Sequence, residues 1–379
     1  MRVEQCEWGE EGGWSCVSSL RHGDVAQLVL VFGEREAFAR ADALASLQAR
    51  YPAAEILGCS SAGQIFDRTS SSAPLVATAI SFEATRVCCR DTALASTEDS
   101  HDAGERLAEK LCAAGEALSH VFVLSDGLRV NGSALVRGLA GALPAGVGIT
   151  GGLSADGERF ASTLLCLNGR TTEGMVAAAG FYGTRLKVGA GSLGGWDPFG
   201  PERLVTRSRG NVLLELDGRS ALQLYRLYLG DHAAEMPASA LLFPLSLRTA
   251  NGARLVRTVL AVDDREASMT FAGDIPEGAY ARLMKTSHER LIEGAAGAAR
   301  ASLDALGGPA ELALLVSCVG RRLVLKQRTE EEVDSVRAVL GERAVLAGFY
   351  AYGEIAPAPP ASFCELHNQT MTVTAFSER

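Results

Sequence analysis

Apolar runs typical of strands and apolar residues at helical spacing follow one another along the chain. Together they form a unit that occurs three times. Residues 27–66, 120–157 and 312–357 each begin with a run of Val, Leu and Phe, which is typical of a buried strand, and continue into an amphipathic helix. A second short strand follows and ends at glycine, and the third unit has an additional strand-like stretch before its helix. Such units predict an α+β fold with α/β-like units, in which mixed sheets are flanked by helices.

The rest of the sequence favours further strands and one long helix. Alternating positions predict strands at 75–89 and 174–193, and the spacing of apolar residues from 279 to 306 predicts the longest helix. A chain of 379 residues favours two domains over a single core. We expect an N-terminal tail at 1–24 and domains at 25–218 and 219–379.

Composition narrows the class of protein. The 36 Lys and Arg against 45 Asp and Glu give a net charge of −9, which argues against nucleic acid as the main partner. No apolar run is long enough to span a membrane, and the acidic N-terminus does not resemble a signal peptide. The nine cysteines are scattered, with no C-x-x-C pair. These features predict a reduced, cytoplasmic protein.

Small and polar residues follow the strands at the glycine breaks, where ligands commonly bind in α/β sheets. The candidate ligand-binding residues in these turns are Gly58, Cys59, Ser60, Ser61, Gly151 and Gly152. The alternative is that these are tight turns that need glycine only for their geometry.

A third turn, "GFYAYGE" at 348–354, places two phenols two residues apart. In a strand, Tyr350, Tyr352 and Glu354 would share one face, and the phenols would stack on a planar ligand. An aromatic pair that only covers the sheet is the alternative. We interpret this stretch as a pocket wall without catalytic function.

The segments "GCSSAGQI", "GGLSADG", "GFYAYGEIAP" and "LHNQTMTVTAF" occur in this order and resemble the FIST sensory family from about Val25 onward. The resemblance implies a ligand-binding input module in bacterial signal transduction. Some stand-alone members of the family bind haem and sense nitric oxide, so the resemblance predicts first a sensor of nitric oxide that binds b-type haem. The partners implied here are a separate histidine kinase or cyclic-dinucleotide enzyme, and a homo-oligomer is left open.

Two histidines are candidates for the axial ligand that b-type haem would need. His367 lies in the closing motif, where Asn368 and Gln369 offer hydrogen bonds to orient a ligand. His288 lies on the apolar face of the predicted long helix. The alternatives are a histidine bonded at a strand edge and a satisfied core histidine.

Two other functions remain open at this stage. A pocket for a polar metabolite, such as an amino acid, would use Asp126, Asp156 or Glu354 for its ammonium and the glycine-turn N–H groups for its carboxylate. A cysteine-dependent hydrolase or transferase would use Cys59 with a histidine base. The sequence has no G-x-S-x-G, P-loop or H-E-x-x-H motif, so we expect a protein that is not an enzyme.

Overall fold

The structure is a computed structural model that describes residues 1–9, 13–18, 24–115, 117–249, 254–358 and 363–378. The strands of the first 220 residues are β1 (Arg2–Gly9), β2 (Gly13–Ser18), β3 (Leu28–Gly33), β4 (Glu55–Ser60), β5 (Gln64–Phe66), β6 (Thr69–Ser71), β7 (Leu75–Ser81), β8 (Arg86–Ala93), β9 (Leu118–Ser125), β10 (Gly148–Leu153), β11 (Leu165–Leu167), β12 (Arg170–Thr172), β13 (Met175–Tyr182), β14 (Leu186–Leu193), β15 (Asp197–Pro198), β16 (Arg203–Arg209), β17 (Val212–Leu216) and β18 (Arg219–Ser220). The later strands are β19 (Leu245–Arg248), β20 (Arg254–Arg257), β21 (Val259–Asp263), β22 (Ser268–Phe271), β23 (Tyr280–Lys285), β24 (Leu312–Cys318), β25 (Val345–Ala351), β26 (Gly353–Ala358), β27 (Phe363–His367) and β28 (Met371–Glu378).

The helices lie mostly between the strands of the repeated units. They are α1 (Arg35–Phe38), α2 (Ala41–Arg50), α3 (Ser100–Ala113), α4 (Gly132–Ala142), α5 (Ala221–Leu229), α6 (His288–Leu306), α7 (Val319–Leu325) and α8 (Thr329–Leu340). Short 3₁₀ helices cover Gly230–Glu235, Ala238–Leu242 and Lys326–Arg328. No helix in the described part of the chain is both long enough and apolar enough to cross a bilayer.

The three repeated units form as strand–helix–strand crossovers with parallel strands. β3 pairs with β4, β9 with β10, and β24 with β25, each in parallel register. Their first strands are almost wholly buried, as expected for strands covered on both faces. The predicted α+β fold with mixed sheets and flanking helices is therefore confirmed.

The strands of the described ranges form four sheets. The first sheet has the order β12-β11-β4-β3-β7-β1-β2, the second β27-β26-β10-β9-β13-β8, the third β14-β28-β24-β25-β5-β6, and the fourth β20-β19-β23-β16-β17-β22-β21. The apolar faces of the first three sheets meet in one core, where Phe32 stacks on Phe349 with 4.5 Å between ring centroids. The helices cover the outer faces of these sheets.

Strands are exchanged between the two halves of the chain. β5, β6 and β14, from the first half, belong to the third sheet together with β24, β25 and β28. Conversely, β26 and β27, from the second half, belong to the second sheet, where β26 pairs antiparallel with β10 and with β27. The chain passes from the third sheet to the second at Tyr352, between β25 and β26.

Three local predictions differ from the structure. The long helix from 279 begins only at His288, because Ser287 caps it by accepting from the backbone N–H of Arg290, and the preceding residues form β23. The additional strand of the third unit is helix α7, in which Arg321 and Leu325 point inward at helical spacing. Tyr350 and Glu354 lie in different strands and sheets, so they do not share one strand face.

The N-terminal segment is part of the fold. β1 pairs with β7 and with β2, so residues assigned from the sequence to a tail extend the first sheet, while residues 10–12 and 19–23 lie outside the described part of the chain. Cys6 and Cys16 face each other across β1 and β2 and form a disulfide bond. This bond differs from the reduced state that the scattered cysteines and the absence of a C-x-x-C pair predict, because the hairpin pairing that brings Cys6 and Cys16 together is not visible in the cysteine spacing.

Candidate functional site

A cavity of about 1000 Å³ opens where the turns after β3, β4 and β10 face α7 and the three 3₁₀ helices named above. It lies at the carboxyl ends of parallel strands, the usual position of ligand sites in α/β sheets. Its lining residues are Glu34, Glu36, Ser61, Ala62, Gly63, Gln64, Ser71, Ser72, Asp156, Gly157, Glu158, Arg159, Glu235, Ala238, Ser239, Leu242, Val319, Arg322, Leu323 and Lys326. Both halves of the chain therefore contribute to one cavity.

The turn after β4 is fixed by backbone hydrogen bonds on both sides. The N–H of Ser61 donates to Gly33 O at 2.8 Å, and the N–H of Ala62 donates to Tyr350 O at 2.9 Å. Gly63 has φ of +137°, and a Cβ there would lie 2.1 Å from a guanidinium nitrogen of Arg322. Glycine is thus required for Arg322 to lie against this turn.

The turn after β10 is built around the carboxylate of Asp156. Its oxygens accept from the backbone N–H groups of Phe160, Ala161 and Ser162 at 2.9–3.0 Å. The Tyr352 hydroxyl donates to the same carboxylate, and the Tyr352 ring stacks on Phe160 at 4.6 Å. Because these groups use the lone pairs of Asp156, its role is to shape the loop.

Arg322 gives the cavity a positive group with no ionic partner among the described residues. Its guanidinium donates to Ala62 O and lies 5.5 Å from the centroid of the Tyr350 ring. By contrast, Arg159, which also lines the cavity, is paired with Glu36. A guanidinium held in place but not neutralised is suited to binding a carboxylate or phosphate.

Negative groups line the same cavity. Within the described part of the chain, the carboxylates of Glu34, Glu158 and Glu235 form no ion pair. Lys326, which follows the last residue of α7, adds a second positive group. The cavity can therefore match a ligand that carries both charges.

A buried ion pair supports the cavity from behind. Tyr350, which lies beneath Arg322, donates to Glu332 Oε1 at 2.8 Å, and burial next to that carboxylate raises the pKa of the phenol. Arg321 binds Glu332 Oε2 at 2.9 Å and donates to Leu291 O of α6 at 2.7 Å. The neighbouring arginines of α7 thus face opposite ways, one to the ligand cavity and one to helices α6 and α8.

The structure brings only part of the predicted ligand site together. Ser61 lines the cavity, and Tyr350 and Tyr352 lie directly behind its wall. Gly58, Cys59, Ser60, Gly151, Gly152, Glu354, Asn368 and Gln369 do not line it. At Gly151, a Cβ would lie 1.8 Å from Val123 O, so close strand packing explains this glycine.

The other predicted polar residues have structural partners. Ser60 Oγ accepts from Leu164 N at 2.9 Å, and Asn368 Nδ2 donates to Tyr352 O at 3.2 Å. Gln369 Nε2 donates to Leu241 O at 2.9 Å, which anchors a 3₁₀ helix of the cavity wall. These residues hold the loops around the cavity.

The carboxylates proposed to meet an ammonium group are also committed. Asp126 accepts from the N–H groups of Leu128, Arg129 and Gly174 at 2.9–3.0 Å. Glu354 is fully buried away from the cavity, and its Oε2 accepts from the N–H and hydroxyl of Thr370. Asp156 is likewise used by its own loop. The exposed glutamates of the cavity are therefore better candidates for binding an ammonium group than these three carboxylates.

Neither candidate haem ligand lines the cavity. His367 bonds to Ala356 O at 3.2 Å, and burial lowers the pKa of its imidazole to about 4. His288 bonds to Val324 O at 2.9 Å and contacts Arg328 through its other nitrogen. The described residues that line the cavity include no His, Cys, Met or Tyr, so the lining supplies no side chain that commonly ligates haem iron.

Cys59 lies in the core between the sheets with no exposed surface. Burial raises the pKa of its thiol well above the usual value, which is the opposite of what a nucleophilic cysteine needs. The geometry gives no support to a reaction at Cys59.

Sequence reasoning missed the charged lining residues. Arg322 lies in the stretch that the sequence predicted as an additional strand but belongs to α7, and Lys326 directly follows the last residue of that helix. Glu34 and Glu235 carried no recognisable signal, because their place in the cavity depends on long-range packing.

The chain is similar to a known protein family and to two other proteins. The FIST N domain family model matches residues 27–219, and the FIST C domain model matches residues 221–357. Two uncharacterized proteins of Mycobacterium tuberculosis, from strains CDC 1551 and H37Rv, are each 26% identical to this chain over 267 residues. Each match covers 67% of this chain and 67% of the relative.

Proposed function

This chain belongs to the FIST family of sensory domains, and on that premise we propose that its cavity binds a small zwitterionic metabolite such as a free amino acid. The observation that carries the proposal is Arg322, a guanidinium positioned in the cavity without a carboxylate partner among the described residues. In this proposal Arg322 binds the ligand's carboxylate, and Glu34, Glu158 or Glu235 binds its ammonium group.

Occupancy of the cavity would be the signal. A ligand shifts a conformational equilibrium only when it binds one conformation more tightly than another. The ligand would therefore have to stabilise one arrangement of α7. Arg321 links α7 to Glu332 of α8 and to α6, so a displaced α7 would alter helices on the outer surface. A cytoplasmic histidine kinase or cyclic-dinucleotide enzyme would then receive the signal.

The first prediction concerns ligand affinity. We expect one or more of the standard amino acids to raise the melting temperature of the protein, as a ligand of the native state does. Arg322→Ala should raise the dissociation constant of that ligand about 10- to 100-fold. This is the loss of affinity expected when a charge-assisted hydrogen bond of about 1.5–3 kcal/mol is removed. Isothermal titration calorimetry would measure this loss.

Two further variants sharpen the result. Arg322→Lys keeps the charge without the planar fork, so its affinity should lie between those of the wild type and Arg322→Ala. Arg300→Ala removes an exposed arginine of α6 away from the cavity and should leave binding unchanged. Equal affinity in Arg322→Ala and the wild type would refute the proposed carboxylate site.

Haem binding with nitric oxide sensing remains a prediction from the family resemblance. Because neither histidine lines the cavity, we expect haem titration to give the same absorption spectrum in wild type, His367→Ala and His288→Ala. A saturable Soret band that shifts with nitric oxide and is lost in one of these variants would favour haem sensing over the metabolite proposal.

A further inference from the structure

The hairpin of β1 and β2 collects metal-ligating side chains on one face, away from the large cavity. Glu4 and Cys6 are two residues apart on β1, so their side chains point to the same side of the sheet. Cys16 lies directly opposite Cys6 in the β1–β2 register, with 4.0 Å between their Cα atoms. The potential ligand atoms of Glu4, Cys6 and Cys16 all lie within 4.8 Å of one another.

The surrounding structure keeps these residues together in the absence of the disulfide bond. β1 is held by six paired residues of β2 on one side and by seven of β7 on the other. Glu4 and Cys6 are buried and Cys16 is partly exposed, so solvent reaches the site from one side. Reduction would therefore leave two thiols and a carboxylate close together, with the Cys16 thiol open to solvent.

Two neighbouring side chains act on the carboxylate. The Tyr51 hydroxyl donates to Glu4 and lies 3.4 Å from the sulfur of Cys6, and Arg50 pairs with Glu4 at 3.3 Å. Hydrogen bonds of this kind orient metal ligands. Two thiolates and one carboxylate around a divalent cation leave a net charge of −1, which the guanidinium of Arg50 compensates.

We propose that the reduced protein binds one zinc ion, or another divalent cation that accepts thiolate ligands, through Cys6, Cys16 and Glu4. Two thiolates and a carboxylate suit zinc, and a water would complete a tetrahedron. Ligand atoms about 3.5–4 Å apart are needed for Zn–S bonds of about 2.3 Å and Zn–O bonds of about 2.0 Å. The separations in the hairpin require only small side-chain movements.

Metal binding and the disulfide bond exclude each other. Two equivalents of a small thiol reductant supply two electrons, break the Cys6–Cys16 bond and leave as a disulfide, and the protein gains two thiols. Zinc then displaces one proton from each thiol as the two Zn–S bonds form. The hairpin thus has an oxidised state without metal and a reduced state with it.

The test uses cobalt(II) chloride as a spectroscopic probe for zinc, added to the full chain after anaerobic reduction and removal of the reductant. We expect one equivalent of cobalt to give a sulfur-to-cobalt charge-transfer band together with the intense visible bands of tetrahedral cobalt. Zinc should displace the cobalt. The oxidised protein should show none of these bands.

Matched variants assign the site. Cys16→Ser should abolish the charge-transfer band, Glu4→Gln should weaken cobalt binding at least about tenfold, and Cys112→Ser, which changes another partly exposed cysteine, should have no effect. Circular dichroism would confirm that each variant is folded. Protection of Cys6 and Cys16 from alkylation by zinc, measured on the wild type by mass spectrometry, tests the site without any variant.

Three outcomes would overturn the proposal. They are the absence of a band in the reduced wild type, an undiminished band in Cys16→Ser, and alkylation of Cys6 and Cys16 at the same rate with and without zinc.

Discussion

Replacing Arg321 with methionine is expected to lower the free energy of unfolding by about 3–5 kcal/mol, the usual cost of leaving one charge of a buried ion pair alone. Arg321 and Glu332 both have fully buried side chains, and their nearest atoms are 2.9 Å apart. The change would also remove the donors to Gly194 O and Leu291 O. Urea denaturation at pH 7 would measure the loss.

Two comparisons separate charge from packing. In Arg321→Met combined with Glu332→Gln, the unpaired charge disappears while an amide oxygen can still accept from Tyr350 and Ser317, so part of the stability should return. Arg328→Met removes an arginine whose ion pairs are exposed, and it should shift the urea midpoint far less. A wild-type midpoint in Arg321→Met would show that the buried pair contributes nothing.

The second large effect is a dependence of stability on pH that originates at Glu354. Burial raises the pKa of this carboxyl group from 4.5 to about 8. Between these values the folded protein retains a proton that the unfolded chain releases, so stability falls as the pH rises from about 4.5 to about 8. One pKa unit corresponds to about 1.4 kcal/mol, which makes the total loss about 4–5 kcal/mol.

Glu354→Gln should remove this slope, because an amide of the same shape does not titrate. Burial lowers the pKa of His120 to about 3 and that of His367 to about 4, so both histidines make the protein less stable as the pH falls below about 6.5. Their contribution is common to both proteins. The difference in unfolding free energy between wild type and variant, measured from pH 5 to 8.5, therefore isolates Glu354. Parallel curves would mean that Glu354 is ionised in the folded protein.

The three crossovers could be predicted because their strands are continuous apolar runs followed by clear helical periods. Residues 280–285 were predicted to be helical because their apolar positions fit the period of a helix as well as that of a strand. In the structure they form a strand because they pair with β19 and β16. Arg321 and its neighbours looked like exposed charges. Nothing in the local sequence shows that a glutamate eleven residues later lies beside Arg321 in the interior.

The candidate site was predicted at the right turns but with few of the right side chains. Glycine-rich turns at strand ends are local features, and two of the three line the cavity. The roles of individual residues depend on distant partners: Tyr352 meets Asp156 across 196 residues, and Arg322 meets Ala62 across 260. Such contacts follow from the packing of the sheets, which one sequence does not reveal.

The exchange of strands between the halves has a consequence for how this protein can be divided. A fragment ending near residue 220 would lack β26 and β27 at the edge of the second sheet, and it would leave β5 without β25 and β14 without β28. Unpaired strands of this kind promote aggregation. We therefore expect the two halves to fold only together, so that neither would form an independent module in another protein.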